Sequence, residues 1–201
     1  MTVELSGMDV IGAADHEAGH AVIAAHLHVP FRDAVIYLGR GQITERSLRG
    51  GELRGLPRSF QARAYKIGAD GNLEKVDLDK KLRQYVEKII VILWAGRAAQ
   101  GMQGEMAGMI APKTTSKIDE KEIRRLQKRY RISDLRVGEL HRRAERLVRL
   151  PHISEAIVQT SAILLTERVV AARQVRNIYR ERKRFQGFEA KLMKRGAGGG
   201  A

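Results

Sequence analysis

The segment from Ala13 to Leu27 combines an almost entirely apolar helical pattern with two histidines and a glutamate. Five consecutive apolar residues, Ala21–Ala25, are typical of a helix that is buried rather than exposed. The run His16–His20 reads His-Glu-Ala-Gly-His, and on a helix its two imidazoles lie on one face, about 6 Å apart along the axis. We therefore predict a buried helix over Ala13–Leu27, ended by Pro30, that carries a histidine pair.

The His-Glu-x-x-His pattern is the signature of zinc hydrolases. Both imidazoles can bind one ion, and Glu17 is then placed beside the open coordination position, where it can take a proton from the attacking water. The alternative is a pair of ordinary structural histidines, which have little reason to lie on so apolar a helix. We predict a single zinc ion, with His16 and His20 as ligands and Glu17 as the catalytic general base.

A catalytic zinc normally has a third protein ligand. His26 falls at the metzincin spacing, but Ile23 stands where that motif has glycine. The helix should therefore continue, which turns His26 about 240° away from the second histidine of the pair. His28 lies near the helix end, and His141 and His152 lie in basic segments that are typical of a surface. The remaining histidines thus provide no favoured third ligand.

Composition restricts the class of protein. The chain of 201 residues suits one large domain, and 43% apolar residues are enough to build a core. There are no cysteines, which excludes disulfides and thiolate metal sites. The longest apolar run, Ile89–Ala95, is too short to span a bilayer, and no signal-peptide pattern is present. We expect a cytoplasmic protein without a membrane span.

The net charge of +14 is concentrated in the second half of the sequence. Residues 1–112 contain 14 Lys/Arg and 13 Asp/Glu, whereas residues 113–201 contain 23 and 10. Such asymmetry can attract nucleic acid, an anionic membrane or an acidic partner, or form a solvated surface. One basic stripe has three- and four-residue spacing: Arg173, Arg176, Arg180 and Arg184. Nucleic-acid binding is not favoured, because aromatic interleaving and a recognisable module are lacking.

Helical periodicity dominates, so we predict a mainly α (α+β) fold with a small β-hairpin after the first helix. The hairpin is Asp33–Leu38 and Gln42–Thr44, and loops or breaks follow at 47–58 and 68–72. Further helices are predicted over Asp77–Gln100, Ile118–Tyr130, Ser133–Leu147, Ser154–Thr166 (N-cap Ser154) and Ala171–Phe185. A loop is predicted at Gly101–Ser116. We predict one domain over residues 1–186, whose part from about residue 118 is basic and helical, and a flexible Gly-rich tail over 187–201.

Several motifs in this order resemble the FtsH-type (M41) zinc metallopeptidase domain. They are the zinc helix at Ala14–Ala24, the hairpin at Val35–Gly41, the Gly-Arg-x-Ala helix at Trp94–Ala99, the Thr/Ser-rich loop at Thr114–Asp119 and the C-terminal helices at 142–179. The resemblance covers most of residues 10–180. It implies that His16 and His20 bind the metal and that Glu17 acts as the base.

The same resemblance implies that Asp119 is the third zinc ligand. A carboxylate at the start of a helix after a polar loop is well placed for this role, and an ordinary helix-start acid is the alternative. Glu120 and Glu122 are the fallback ligands. The chain departs from the family in four ways. It lacks the ATPase module with its phosphate-binding motif, and Gln100-Gly101 replaces an acidic pair. The loop before Asp119 is longer than in the family, and residues 47–76 resemble an insertion.

The resulting prediction is a free-standing zinc endopeptidase that hydrolyses peptides or unfolded proteins and is ATP-independent by itself. A separate ATPase or adaptor could deliver substrates, and the resemblance implies a homo-oligomer. The Gly/Met-rich segment 101–111 could border the substrate groove. The alternative is a basic regulatory protein that binds nucleic acid or another partner and carries a vestigial metal site.

Overall fold

The computed structural model describes residues 7–36, 51–54, 65–67, 73–75, 78–106 and 116–197. Within these ranges the helices are α1 (Gly7–His26), α2 (Leu78–Met106), α3 (Ser116–Tyr130), α4 (Asp134–Val148), α5 (Pro151–Glu167) and α6 (Ala172–Ala197). The strands there are β1 (Asp33–Ile36), β2 (Gly51–Arg54), β3 (Tyr65–Ile67), β4 (Leu73–Lys75) and β5 (Val169–Ala171). The predicted mainly α (α+β) class is confirmed.

Helix α1 is the central element and packs against α2, α5, α6 and β1. Its side chains Ala14, Ala18, Ala21 and Ala24 have no exposed surface. Small side chains allow helices to approach closely on several sides, and burial on all sides accounts for the apolar run Ala21–Ala25. The helix begins at Gly7, six residues before the predicted start at Ala13.

The C-terminal end of α1 is closed by backbone hydrogen bonds. The N–H of His28 donates to the carbonyl of Ala25 at 3.3 Å, and the N–H of Val29 donates to the carbonyl of Ala24 at 2.9 Å. With His28 in the left-handed region (φ 56°), this pattern is a Schellman motif. Pro30 follows directly, as the sequence predicted, and the chain then enters β1.

Strand β1 lies in the middle of an antiparallel sheet with the order β2-β1-β5. Ala34 is paired with Leu53 on one side and with Val170 on the other. The predicted strand Gln42–Thr44 lies outside the described residues, and the described neighbours of β1 are β2 and β5. The loop prediction over 47–58 is wrong at Gly51–Arg54, which form β2.

A second antiparallel pair, β3 and β4, lies in the segment that we interpreted as an insertion. Tyr65 is paired with Lys75 and Ile67 with Leu73. The break predicted at 68–72 falls between these strands, outside the described residues. The insertion therefore contains β structure that the sequence did not predict.

Helix α2 is longer than predicted. It buries Val86, Ile89 and Ile90, and it continues past the predicted end at Gln100 through Gly101 to Met106. Met102 is buried against the core and extends the apolar face, so packing outweighs the low helix propensity of the nearby glycines. The loop prediction is wrong for 101–106, and residues 107–115 are outside the described part of the chain.

The ends of α5 and α6 also differ from the predictions. Helix α5 begins at Pro151 with Leu150 as N-cap, so Ser154 is not the cap; proline suits this first position because its missing N–H would have no helical acceptor. Helix α6 runs to Ala197, which replaces the tail predicted over 187–197 with helix. Among the described residues, no helix is both long and apolar enough to cross a bilayer.

Candidate metal centre

Three potential ligand atoms converge between α1 and α3. Asp119 Oδ2 lies 2.8 Å from His16 Nε2 and 3.3 Å from His20 Nε2, and the two Nε2 atoms are 3.0 Å apart. Tetrahedral zinc with bonds of about 2.0–2.1 Å separates its ligand atoms by about 3.3 Å. The triangle is close to that size, and two imidazoles with one carboxylate are a donor set that zinc accepts.

The orientation of the second histidine is determined by α2. His20 Nδ1 donates a hydrogen bond to the backbone carbonyl of Ile92, with 2.6 Å between the two atoms. Nδ1 therefore carries a proton, and Nε2, which faces His16 and Asp119, is the nitrogen left to bind an ion. Because the nearby carboxylates favour the protonated ring, binding of an ion there would displace a proton from Nε2.

Two glycines allow α1 and α2 to approach closely at the site. A Cβ atom on Gly96 would lie 2.6 Å from His20 Nε2 and 2.8 Å from His16 Nε2. A Cβ on Gly19 would lie 2.6 Å from the Cβ of Ala99. Gly96 belongs to the Gly-Arg-x-Ala segment, so the structure gives that segment a physical role: its backbone forms one wall of the site.

Asp119 comes from the first turn of α3 and is 17% exposed. Its neighbour Glu120 accepts a hydrogen bond from Arg97 of α2 at 2.7 Å, which links the two helices beside the site. Glu122 is ion-paired with Arg125 at 3.5 Å. The structure therefore brings Asp119 to the histidines, whereas both fallback carboxylates have partners elsewhere.

Burial and neighbouring charges shift the pKa values of the three groups differently. Burial, together with the nearby His20, holds the pKa of His16 below its ordinary value despite the opposing carboxylate of Asp119. Burial also acts to lower the pKa of His20, but Asp119 and Glu17 raise it to about 9. Burial acts to raise the pKa of Asp119, yet the two imidazoles hold it well below its usual range. Asp119 is thus anionic at neutral pH, as a cation ligand must be.

Glu17 is buried beside the histidine pair, with 4% of its surface exposed. Its carboxylate acts electrostatically on His20, which places negative charge close to the site. Asp119 Oδ2 lies within 3.3 Å of both Nε2 atoms, and the group of converging ligand atoms contains Asp119 and not Glu17.

Asp15 is a buried acid next to the site to which the sequence assigned no role. Its Oδ1 accepts a hydrogen bond from the hydroxyl of Ser161 at 2.6 Å, which ties α1 to α5. Burial raises the pKa of Asp15, and the Ser161 bond partly offsets that rise. One indication of this contact was present in the sequence, which is the presence of an acid within an apolar helix. Nothing in the sequence marked Ser161, 146 residues away, as its partner.

The other histidines have contacts elsewhere. His26 Nδ1 is 2.9 Å from the hydroxyl of Tyr179, in agreement with the prediction that it turns away from the pair. His152 is hydrogen-bonded to Gln186, His141 stacks on Trp94 with ring centroids 4.2 Å apart, and His28 is exposed. Among the described residues, the only group of three or more potential metal ligands is His16, His20 and Asp119.

The zinc prediction is tested by replacing Asp119 with alanine, which should reduce the zinc content well below one ion per chain because only two of the three converging ligand groups remain. The measurement is metal analysis of protein dialysed against limiting zinc. Glu120→Ala is the matched control, since it removes the adjacent carboxylate and should leave the zinc content unchanged. A full complement of zinc in Asp119→Ala would show that another group is the third ligand.

The sequence comparisons add no family assignment. No protein-family model matches the chain, and the search of curated proteins gives no match.

Proposed function

We propose that this protein is a zinc-dependent endopeptidase in which His16, His20 and Asp119 hold the metal and Glu17 is the general base. The observation that carries the proposal is the convergence of the three ligand atoms within 3.3 Å of one another. The FtsH-type resemblance suggests the same assignment, and the contact between Gly96 and both imidazoles supports it.

The chain's own residues supply the proton transfers in this proposal. Zinc, when bound, lowers the pKa of a coordinated water and polarises a carbonyl group. Glu17 accepts a proton from the attacking water and passes it to the leaving amine, the two tasks that peptide hydrolysis requires of one carboxyl group. The Ile92 carbonyl keeps His20 in one tautomer throughout, so that its Nε2 stays available.

We expect the substrates to be peptides or unfolded segments. His16, Glu17 and His20 are only 3–5% exposed, so a side chain on the surface of a folded protein could not reach them. We expect an extended chain to reach so recessed a site more readily than the surface of a folded domain does. Delivery by a separate ATPase or adaptor and assembly into a homo-oligomer belong to the same proposal and are suggested by the family resemblance.

The test is hydrolysis of a casein-like unfolded substrate by the full chain. We expect cleavage that a zinc chelator abolishes and that added zinc restores, whereas magnesium does not restore it, because a His₂-carboxylate set prefers zinc. His16→Ala should be inactive under all these conditions. Cleavage that survives both chelation and His16→Ala would overturn the proposal.

A further inference from the structure

Helix α6 extends beyond the helices that support it. Within the described residues it packs on α1, α5 and β5. Its Gln186 is hydrogen-bonded to His152 in the first turn of α5, and α5 begins at Pro151. Because α5 and α6 meet there at the start of α5, residues 187–197 continue past that end by about 16 Å of helix.

The helix exposes two aromatic side chains where this support ends. Phe185 and Phe188 are 55% and 59% exposed, whereas Ile178 and Tyr179, earlier in α6, are 5% and 6% exposed. Residues three apart lie on the same helix face, so the two phenylalanines form one apolar surface. The described elements leave more than half of each phenylalanine exposed, so full burial of this surface requires contact with another molecule.

Basic residues flank the phenylalanines. Arg180, Lys183 and Arg184 are exposed, and Arg180 and Arg184 have no acidic partner among the described residues. The sequence from 180 to 195 contains seven Lys/Arg and two Asp/Glu. A second copy of the chain would bring two such positively charged segments together, and their repulsion disfavours self-association there.

We propose that the exposed part of α6 over residues 180–188 is an amphipathic segment that binds the surface of an anionic lipid bilayer. Exposed phenylalanines beside a Lys/Arg-rich face are the pattern of helices that lie in the membrane interface without spanning it. Nucleic acid would account for the basic residues alone, since phosphate contacts do not need apolar side chains. Anionic lipid accounts for both features, and the inference does not depend on the metal centre.

The first experiment is sedimentation of the full chain with vesicles of phosphatidylcholine, with and without phosphatidylserine. The wild type should bind the anionic vesicles, and Phe185→Ala/Phe188→Ala should weaken that binding at least about tenfold, since the apolar area that enters the interface is lost. The matched control is Leu135→Ala on α4, where the side chain is 74% exposed, and it should bind like the wild type.

The second experiment reverses charge at two positions. Arg180→Glu/Arg184→Glu should weaken binding to the anionic vesicles by more than about tenfold and reduce its salt dependence. The control Arg142→Glu/Arg146→Glu changes the net charge equally on exposed positions of α4 and should bind far better than the α6 variant. Thermal melts identical to the wild type would establish that each variant is folded, as expected for exposed side chains.

Three results would overturn the proposal. One is equal vesicle binding, or none, for the wild type and the double phenylalanine variant. Another is binding of the wild type and the double phenylalanine variant to duplex DNA with equal affinity, while neither binds vesicles. That result would assign the basic face to nucleic acid. The third is a concentration-dependent dimer that the double variant abolishes, again without vesicle binding, which would show that a second copy covers the phenylalanines.

Discussion

Glu17→Gln should lower the rate of peptide hydrolysis by about 100- to 10,000-fold while the protein keeps its zinc. Glutamine has nearly the same shape as glutamate, but its amide oxygen cannot serve as a base at neutral pH. The three converging ligand atoms belong to other residues, so the metal site should remain intact. The measurement is kcat/KM on an unfolded substrate together with zinc analysis of the same preparation.

The matched control for this prediction is Glu145→Gln. Glu145 is a half-exposed glutamate of α4 whose Oε1 lies 3.6 Å from His141 Nε2. It does not belong to the group of converging ligand atoms. Its substitution should change neither activity nor zinc content. Undiminished hydrolysis by Glu17→Gln would contradict the role of Glu17 as base, and loss of zinc would assign Glu17 a part in holding the metal.

Gly96→Ala should disrupt the metal centre although alanine is the better helix former. The added methyl group would lie 2.5 Å from His20 Cε1 and within 2.8 Å of both Nε2 atoms, so the imidazoles would have to move. A displacement of about 1 Å in a catalytic site costs about a hundredfold in activity. We expect a loss of that size together with weaker zinc binding, measured by competition with a chromogenic chelator.

Gly101→Ala on the same helix separates this steric effect from helix propensity. Apart from its chain neighbours and the adjacent backbone of α2, no atom lies within 4 Å of the position of a Cβ at Gly101. The substitution should therefore stabilise the protein by about 0.5–1 kcal/mol and leave hydrolysis unchanged. Denaturant unfolding measures the first effect. Full activity and zinc affinity in Gly96→Ala would show that α2 does not approach the histidines as closely as described.

The differences between prediction and structure share a cause. Strand β5 has three residues and pairs with β1 from more than a hundred positions away, which no local pattern reveals. The extension of α2 depends on Met102 reaching the core, whereas the Gly-, Met- and Thr-rich composition of Gly101–Ser116 predicted a loop. Tertiary contacts decide such short or marginal segments, because their local preference is worth less than the packing they gain.

The sequence by itself determined the local part of the site. The spacing of His16 and His20 depends only on the helical repeat, and the apolar residues around them required a buried helix, so both were predictable. Asp119 was predicted as the third ligand only through a family resemblance, because an acid at the start of a helix is common and does not by itself indicate metal binding.

Only the tertiary structure decided which groups meet the histidine pair. Asp119 is 103 residues from His16, and the Ile92 carbonyl is 72 residues from His20. Their positions depend on how closely α2 and α3 approach α1, which the missing side chain of Gly96 allows. Helical periodicity is set by the backbone of one segment, whereas the distance between helices is set by side chains packed across the whole core.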